Sequence, residues 1–196
     1  MDQRPSSPAG IGLLMMDFQN AIVDLVPEPR RQTAMTNAAD LLPRARAAQV
    51  PVFHVTVSFR EGYPEVHPAN MGFSRLKSAG LLLEGSPGAA IHASLAPLRG
   101  EPIVVKRRVS AFGTTDLHTL LGARGIRTLV LAGLFTSGVV LSTVRAAADL
   151  DYDIVVVEDA CGDPDEEVHR VLTGKVFSGQ TRVVPVSGID TILSSR

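Results

Sequence analysis

The 196-residue sequence predicts a single α/β domain, residues 1–196, built on a mostly parallel, doubly wound sheet of about five to six strands with helices on both faces. Two observations predict this class. Short, almost uninterrupted apolar runs alternate with longer amphipathic segments, which is typical of buried parallel strands and their crossover helices. The composition agrees, because a chain of this length with 45% hydrophobic and 20% charged residues fits one globular domain.

Six apolar runs are the predicted strands. They cover residues 11–17, 51–57, 102–106, 128–132, 153–159 and 181–186. The first run, IGLLMMD, is almost continuously apolar, as expected of a strand that is covered on both faces. Parallel strands end at a common edge of the sheet, so polar residues at the ends of these runs are the candidates for a functional site.

The predicted helices lie between these strands. They cover residues 33–49, 114–125, about 137–150 and 163–177, and Ser187 is positioned to cap a closing helical segment. Pro43 predicts a kink or break in the first helix. Residues 58–101 are rich in Gly, Pro, Ser and His, which predicts a long loop with short helical turns that serves as a lid, a binding wall or an oligomer contact. The polar, proline-rich residues 1–10 predict a flexible N-terminus.

Charge and cysteine content exclude several classes of partner. A net charge of −1 leaves no electrostatic footprint for nucleic acid or an acidic membrane. The uncharged stretch 128–144 is shorter than the roughly 20 apolar residues that a membrane span needs, and it contains Gly, Ser and Thr. With one cysteine, Cys161, the chain has no intramolecular disulfide and no thiolate metal cage. A reduced, cytoplasmic setting is the simplest expectation.

Two charged residues end predicted strands. Asp17 closes the first strand, where partial desolvation raises the pKa of a carboxyl group and suits it to proton transfer. Lys106 closes the third strand, where it would hold a nearby carboxylate ionised or stabilise negative charge on a substrate. The structural alternatives are a turn or cap for the aspartate and an extended rim side chain for the lysine. Because both strands end at one sheet edge, we expect the two side chains to meet.

The segment GLFTSGVVLST, residues 133–143, predicts a sharp turn from the fourth strand into a helix. A helix that begins near Ser137 has unpaired backbone N–H groups, which can bind a carboxylate or an oxyanion. A nucleophile is often found at such a turn, but no Cys, Lys, His, Asp or Glu lies between Leu129 and Val144. The turn therefore predicts an anion-binding backbone without a reactive side chain.

Taken together, these segments resemble the isochorismatase-like hydrolase superfamily, which includes cysteine hydrolases such as nicotinamidases. LLMMDFQ is similar to the motif that ends in the catalytic aspartate, which falls on Asp17. VVKRRVSAF is similar to the motif of the catalytic lysine, which falls on Lys106, with Phe112 as the aromatic residue that follows. In the third motif a threonine precedes the nucleophilic cysteine by three residues, so that Thr136 places the cysteine position at Val139. The resemblance covers roughly residues 11–185.

The resemblance implies a hydrolase with an unusual site. Val139 has no nucleophilic atom, so the acyl-enzyme route of the cysteine members is closed at this position. Isochorismatases also lack the cysteine and cleave a vinyl ether with the aspartate as proton donor. We therefore expect Asp17 acid/base chemistry on a small carboxylated or carbonyl-bearing metabolite. The alternative is a catalytically silent binding or assembly module.

The resemblance further implies a set of substrate-binding residues and an oligomer. The expected substrate-binding residues are Phe18, Gln19, Arg60, Arg108, Phe112, Thr136, Ser137 and Gly138. The two arginines are candidates because isochorismatases bind a dicarboxylate. The family generally forms homodimers or larger homo-oligomers, and the same is expected here.

Other candidate groups are given structural interpretations. Cys161 is a possible displaced nucleophile, but its acidic neighbours would raise the thiol pKa, so a small buried residue is favoured. His54 and His67 fit no ligand spacing, and we predict no metal and no cofactor. His92, His118 and His169 are predicted to be surface residues. A phosphate loop is excluded because GLFTSG lacks the following Lys-Ser/Thr and no GxGxxG follows a strand.

Overall fold

A computed structural model of the protein describes residues 10–194 and contains one six-stranded, entirely parallel sheet. The strands are β1 Gly10–Met16, β2 Val52–Val57, β3 Ile103–Lys106, β4 Ile126–Leu134, β5 Asp153–Gly162 and β6 Arg182–Val184. Their order across the sheet is β3-β2-β1-β4-β5-β6. The predicted fold class is confirmed. The expected flexible N-terminus lies outside the described residues, except for Gly10, which begins β1.

The helices follow the predicted alternation. They are α1 Asn20–Val23, α2 Arg30–Ala47, α3 Met71–Ser78, α4 Leu117–Ala123, α5 Leu141–Asp149, α6 Glu166–Val171 and α7 Asp190–Leu193. Wide π-helical turns at Thr136–Val140 and Leu172–Val176 precede α5 and extend α6. The expected break at Pro43 is wrong, because α2 continues through it. Pro43 and Ala39, whose carbonyl it frees, are both exposed, so water can satisfy that carbonyl.

Two apolar cores lie on the two faces of the sheet. Alternate residues of β1 point to opposite sides, with Leu13 and Met15 in the core beneath α2. Leu14 and Met16 lie in the other core, which α4 and α5 cover. This alternation explains why β1 is apolar at consecutive positions rather than at every second one. No helix within residues 10–194 is both long and apolar enough to cross a membrane.

The segment 58–101 is a long connection with short helical elements, as predicted. It contains α3 and two short helical turns, Pro87–Ala89 and Ala93–Leu95. Phe59 anchors it, with its ring centroid 5.5 Å from that of Tyr63 and 5.2 Å from that of Phe73. Further along, the backbone N–H of His92 donates to the carbonyl of Phe18 at 2.8 Å. The segment therefore packs beside the end of β1, where Asp17 lies.

The chain order reverses at the centre of the sheet. The first three strands run outward from β1 to β3, and β4 then returns to pair with the other side of β1. Ligands of open α/β sheets bind at the carboxyl ends of the strands where such a reversal occurs. The ends of β1 and β4 are therefore the place to look for the site.

Candidate active site

Asp17 directly follows β1 and has a left-handed backbone conformation, with φ of 57°. Its backbone N–H donates to the carbonyl of Val55 at 2.8 Å, which fixes the end of β1 against β2. Aspartate tolerates this conformation better than most non-glycine residues. Its side chain is 7% exposed, so the carboxyl group lies in a nearly dry environment.

Lys106 brings an ammonium group to Asp17 from two strands away. Lys106 Nζ donates to Asp17 Oδ2 at 2.7 Å, and the lysine side chain is only 2% exposed. β2 lies between their two strands, so the long lysine side chain spans the carboxyl end of the sheet. The structure therefore brings together the two strand-end charges that the sequence singled out.

The second oxygen of the carboxyl group is free. Asp17 Oδ1 is buried and has no hydrogen-bond partner within residues 10–194. Burying a carboxyl oxygen without a hydrogen bond costs free energy, so this atom is a candidate for a functional contact. Burial raises the pKa of Asp17 above its ordinary value, and the neighbouring Lys106 opposes this rise. The carboxyl group is thus anchored through one oxygen and available for proton transfer through the other.

A glycine allows β1 and β4 to approach closely beside this carboxyl group. Gly133 faces Met16 across the β1–β4 pairing. A Cβ atom on Gly133 would lie 2.8 Å from the carbonyl oxygen of Met16 and 2.9 Å from its Cβ. Any side chain at position 133 would therefore displace the residue that precedes Asp17.

The turn after β4 places small and apolar side chains beside this edge. It begins after a cis peptide bond between Leu134 and Phe135 and covers Thr136–Val140. Val139 is 2% exposed and belongs to the apolar core on the α4–α5 face. A valine at this position can neither attack a carbonyl nor donate a proton to Asp17.

Some of the backbone N–H groups that were expected to bind an anion already have partners. The N–H of Ser137 donates to Asp163 Oδ2 at 2.7 Å, and that of Gly138 donates to the carbonyl of Phe135 at 3.1 Å. Asp163 lies directly after β5 and is buried. The N–H of Ser137, which was expected to bind a substrate anion, is thus already bound to the carboxylate of Asp163.

His169 is buried and contacts the turn. Its Nδ1 atom lies 2.8 Å from Oγ1 of Thr136, and the residue is 4% exposed. The prediction that His169 is a surface residue is therefore wrong. His169, Leu172 and Thr173 are all buried at helical spacing i, i+3 and i+4, a pattern that indicates an inward-facing stripe. Burial lowers the pKa of His169, which keeps its ring neutral at neutral pH.

Phe18 and Gln19, two of the expected substrate-binding residues, are completely or almost completely buried. Gln19 Nε2 donates to the carbonyls of Val57 and Ala89 at 2.8 and 2.7 Å, and its Oε1 accepts from the N–H of Val57 at 2.8 Å. These bonds tie β2 and the 58–101 segment to the end of β1. The structure gives Gln19 this structural role, because both N–H groups of its amide are already donated and the residue is fully buried.

The expected arginines differ in how they are paired. Arg60 Nη1 lies 2.5 Å from Glu65 Oε1, and this oxygen also accepts from Arg107. The exposed Arg108 donates instead to two backbone carbonyls, those of Glu65 and Arg107. Of these side chains, Arg108 is the one whose guanidinium is bonded to neutral groups.

Phe112 packs among aromatic side chains. Its ring centroid is 5.7 Å from that of Tyr152 and 6.4 Å from that of His118. Just before it, the N–H of Ala111 donates to Thr143 Oγ1 at 3.0 Å. These contacts join the segment after Lys106 to α4, to α5 and to Tyr152, which directly precedes β5.

Cys161 lies on β5 and is fully buried. Burial raises the pKa of its thiol to about 12. At neutral pH a negligible fraction is therefore thiolate, the form that acts as a nucleophile. This argues against Cys161 as a displaced nucleophile and favours its interpretation as a small core residue.

The remaining histidines bond to neighbouring groups or lie exposed. His54 is buried, with Nε2 3.0 Å from Glu101 Oε2, while His67 is exposed, as is His118. His92 is half-buried, and its Nδ1 lies 2.8 Å from Ser94 Oγ. Among residues 10–194, no group of three or more His, Cys, Asp or Glu side chains is arranged to hold a metal ion.

Comparison with known proteins defines the class to which this fold and site belong. The model of the isochorismatase domain matches residues 12–187. The chain belongs to the isochorismatase family. This confirms the resemblance seen in the three sequence motifs and gives the chain the enzyme class of its named relatives, which are hydrolases.

Two relatives and one solved structure illustrate the similarity. The maleamate amidohydrolase of Pseudomonas putida is 34% identical over 163 residues, 81% of this chain and 75% of the relative. The ureidoacrylate amidohydrolase RutB of Agrobacterium fabrum is 32% identical over 173 residues, 78% of this chain and 76% of the relative. An isochorismatase family protein from Desulfovibrio vulgaris superposes with a TM-score of 0.84 at 30% identity, covering 95% of this chain and 100% of that one.

Proposed function

We propose that this protein is an isochorismatase-family hydrolase that works without a catalytic cysteine and uses Asp17 as general acid and base. One observation carries the proposal: Lys106 holds Asp17 Oδ2 at 2.7 Å, while Oδ1 is buried and has no partner in the described chain. A cysteine at position 139 would offer that oxygen a thiol proton, as the family motif implies. With valine there, the free oxygen is left for the substrate.

The chemistry that fits this arrangement is cleavage of a vinyl ether. Asp17 gives its proton to the terminal carbon of the double bond, and the ether oxygen stabilises the resulting oxocarbenium ion. Water adds to the cationic carbon and returns a proton to Asp17. The hemiketal then collapses to an alcohol and a ketone. Lys106 keeps the carboxyl group in place and balances its charge whenever the proton is away.

The substrate is proposed to be a small carboxylated or carbonyl-bearing metabolite. Two relatives are named for maleamate and ureidoacrylate, which are both small carboxylates. Arg108 is the arginine best suited to bind a substrate carboxylate, because its guanidinium donates to carbonyls whereas Arg60 pairs with Glu65. Arg108 follows Lys106 by two residues and so lies near the carboxyl edge of the sheet.

A substrate panel tests the proposal. Enol-pyruvyl ethers, short carboxylated amides and ureides are offered to the unaltered protein, to Asp17→Asn and to Asp149→Asn, an exposed carboxylate on α5. We expect turnover of the vinyl ethers, a loss of about 10²- to 10⁴-fold in Asp17→Asn and no change in Asp149→Asn. An unchanged rate in Asp17→Asn on an identified substrate would contradict the assigned role.

The alternative is a catalytically silent member of the family that serves as a binding or assembly module. Two features favour it: the valine at position 139 and the deep burial of Asp17 and Lys106. This alternative expects no turnover of any member of the panel even when a ligand binds. Turnover that depends on Asp17 excludes it.

We also propose that the chain works as a homodimer or larger homo-oligomer in the cytoplasm. Its single cysteine is compatible with a reducing compartment. Four large apolar side chains are exposed between residues 98 and 109, namely Leu98, Ile103, Val105 and Val109. Ile103 and Val105 lie on β3, at the edge of a parallel sheet whose faces are normally covered. A second copy of the chain is the proposed cover.

A further inference from the structure

Two buried polar side chains outside the proposed chemistry hold the turn Thr136–Val140. Asp163 follows β5 and His169 lies on α6, and both are 4% exposed. They reach two consecutive residues of the turn, Ser137 and Thr136. Burying a polar group costs desolvation free energy, which hydrogen bonds within the protein must offset. The contacts of these two side chains with the turn therefore indicate a specific structural role.

The Asp163 contact fixes the backbone of the turn. Its Oδ2 accepts from the N–H of Ser137 at 2.7 Å, and its Oδ1 accepts from the N–H of Asp165 at 3.2 Å. The same carboxylate therefore joins the beginning of the turn to the beginning of α6. Hydrogen bonds to a charged acceptor are about twice as strong as those to a neutral one, so the shorter bond, to Ser137, is the stronger constraint on the turn.

The His169 contact fixes a side chain of the turn. Thr136 is fully buried, and its hydroxyl oxygen lies 2.8 Å from His169 Nδ1. His169 is itself held within its helix, where Thr173 Oγ1 donates to the His169 carbonyl at 2.9 Å. The threonine has no other recorded side-chain hydrogen bond in the described chain, so the orientation of its hydroxyl group depends on the imidazole.

We propose that His169, assisted by Asp163, is a positioning residue that holds the Thr136–Val140 turn in register with the Asp17–Lys106 pair. The inference rests on the proposed function. β4 pairs directly with β1, so the turn that follows β4 stands next to the end of the strand that carries Asp17. A displacement of about 1 Å in such a wall can lower a rate about 10²-fold without touching the reacting groups.

Paired substitutions test this role, because each pair removes or keeps one hydrogen bond. Thr136→Val removes the hydroxyl group and Thr136→Ser keeps it. His169→Asn keeps a polar atom near the position of Nδ1, whereas His169→Gln places its polar atoms near Nε2. Asp163→Ala removes the acceptor for Ser137, and Asp163→Asn keeps one. For each variant kcat and KM are measured, together with amide hydrogen exchange across residues 136–140 and, as a reference, 154–157 in β5.

Three variants remove a hydrogen bond of the turn: Thr136→Val, His169→Gln and Asp163→Ala. We expect each to lower kcat by about tenfold or more while KM stays within about threefold of the unaltered value. Amide hydrogen exchange should become faster in the turn but not in β5. The matched variants His169→Asn and Asp163→Asn should stay within about threefold of the unaltered protein in kcat and exchange. Thr136→Ser should leave exchange in the turn unchanged. The double variant Thr136→Val/His169→Gln should be no slower than either single variant, because both remove the same bond.

Two results would overturn the inference: an unchanged kcat in Thr136→Val and His169→Gln, or a loss in His169→Asn as large as that in His169→Gln. The second result would show that the imidazole acts through its bulk. If no substrate is turned over, the proposed function fails, but the positioning role can still be tested by amide hydrogen exchange alone. Faster exchange in the turn of His169→Gln but not His169→Asn would then support the positioning role, and equal exchange would reject it.

Discussion

At the scale of single residues, the site is defined by one carboxyl oxygen with a partner and one without. Asp17 Oδ2 is bound to Lys106, and Oδ1 is buried without a hydrogen bond in the described chain. No group within residues 10–194 donates a hydrogen bond to Oδ1, and the hydrocarbon side chain of Val139 has no donor to offer. In our proposal, Asp17 and Lys106 are the base and the lysine of a cysteine-hydrolase site, and Val139 occupies the position of its nucleophile.

Restoring the thiol should change the chemistry. We expect Val139→Cys to gain hydrolysis of small carboxylated amides, because the new thiol would lie where the family places its nucleophile and Asp17 would accept its proton. The measurement is amide turnover and the trapping of a covalent acyl-enzyme by mass spectrometry. Val140→Cys is the matched control, since it introduces the same thiol at the adjacent buried position and should gain neither property. Equal activity in both variants would contradict the assigned position.

The residues that the sequence placed correctly are those at the ends of strands. Asp17 and Lys106 were expected to meet because their strands end at one edge, and the structure brings them to 2.7 Å. The contacts of Ser137 and His169 escaped prediction. Their partners lie 26 and 33 residues away along the chain, at distances that only the packing of α6 against the turn determines.

At the scale of elements, the position of Asp17 depends on how closely β1 and β4 approach. We expect Gly133→Ala to lower the free energy of unfolding by about 1–3 kcal/mol, because its Cβ would lie 2.8 Å from the carbonyl oxygen of Met16. Activity should fall as well, since Met16 directly precedes Asp17. Chemical denaturation and kcat are the measurements.

Gly174→Ala is the control for this substitution, because a Cβ atom there meets nothing within 4 Å. It should leave stability unchanged or raise it slightly, as expected for Gly→Ala in a helical segment. Equal stability of the two variants would show that the approach of β4 to β1 at position 133 is looser than the structure indicates.

A partly buried cluster around Glu101 joins α2, β2 and the segment before β3, and should give stability a pH dependence. Glu101 accepts two hydrogen bonds from Arg46 at 2.8 Å each, and His54 Nε2 lies 3.0 Å from its Oε2. Burial raises the pKa of Glu101, but the hydrogen bonds from Arg46, from the N–H of Leu98 and from His54 outweigh it and lower the pKa from 4.5 to about 2. A carboxyl group whose pKa is lower in the folded state stabilises the fold above its unfolded pKa. That contribution is lost as the pH falls from 4.5 towards 2.

Glu101→Gln should therefore cost stability at neutral pH, up to about 3 kcal/mol at roughly 1.4 kcal/mol per pKa unit, and should flatten the loss of stability between pH 4.5 and 2. Urea unfolding at a series of pH values measures both effects. Glu61→Gln, an exposed glutamate of the same segment, should change neither. The same slope in Glu101→Gln and the unaltered protein would refute the assignment.

Sequence patterns predicted most elements of the sheet but not all of their ends. β5 was expected to end at residue 159 and continues to Gly162. The acidic Glu158 and Asp159 interrupt its apolar run, yet the pairing with β4 resumes at Cys161 and Gly162 after an irregularity in register. A strand that continues past a bulge through charged residues carries no periodic signal, so its full length depends on tertiary pairing.

At the scale of the whole molecule, the uncovered edge of the sheet predicts association. We expect sedimentation velocity to show a dimer or larger oligomer, and Val105→Lys to weaken it, because a charge would then have to be buried against the second copy. Leu25→Lys is the matched control: Leu25 is 45% exposed and Val105 44%, but Leu25 follows α1 and is not part of β3. A monomer in the unaltered protein, or equal effects of the two substitutions, would contradict this interface.

We propose that the reaction takes place at the junction of β1 and β4, and the central claim is that Asp17 performs it without a thiol. The most direct test compares turnover of an enol-pyruvyl ether by the unaltered protein, Cys161→Ser and Asp17→Asn. We predict that Cys161→Ser keeps the full rate, because its buried thiol has a pKa of about 12, and that Asp17→Asn loses about 10²-fold or more. Loss of the rate in Cys161→Ser, or its survival in Asp17→Asn, would contradict the claim.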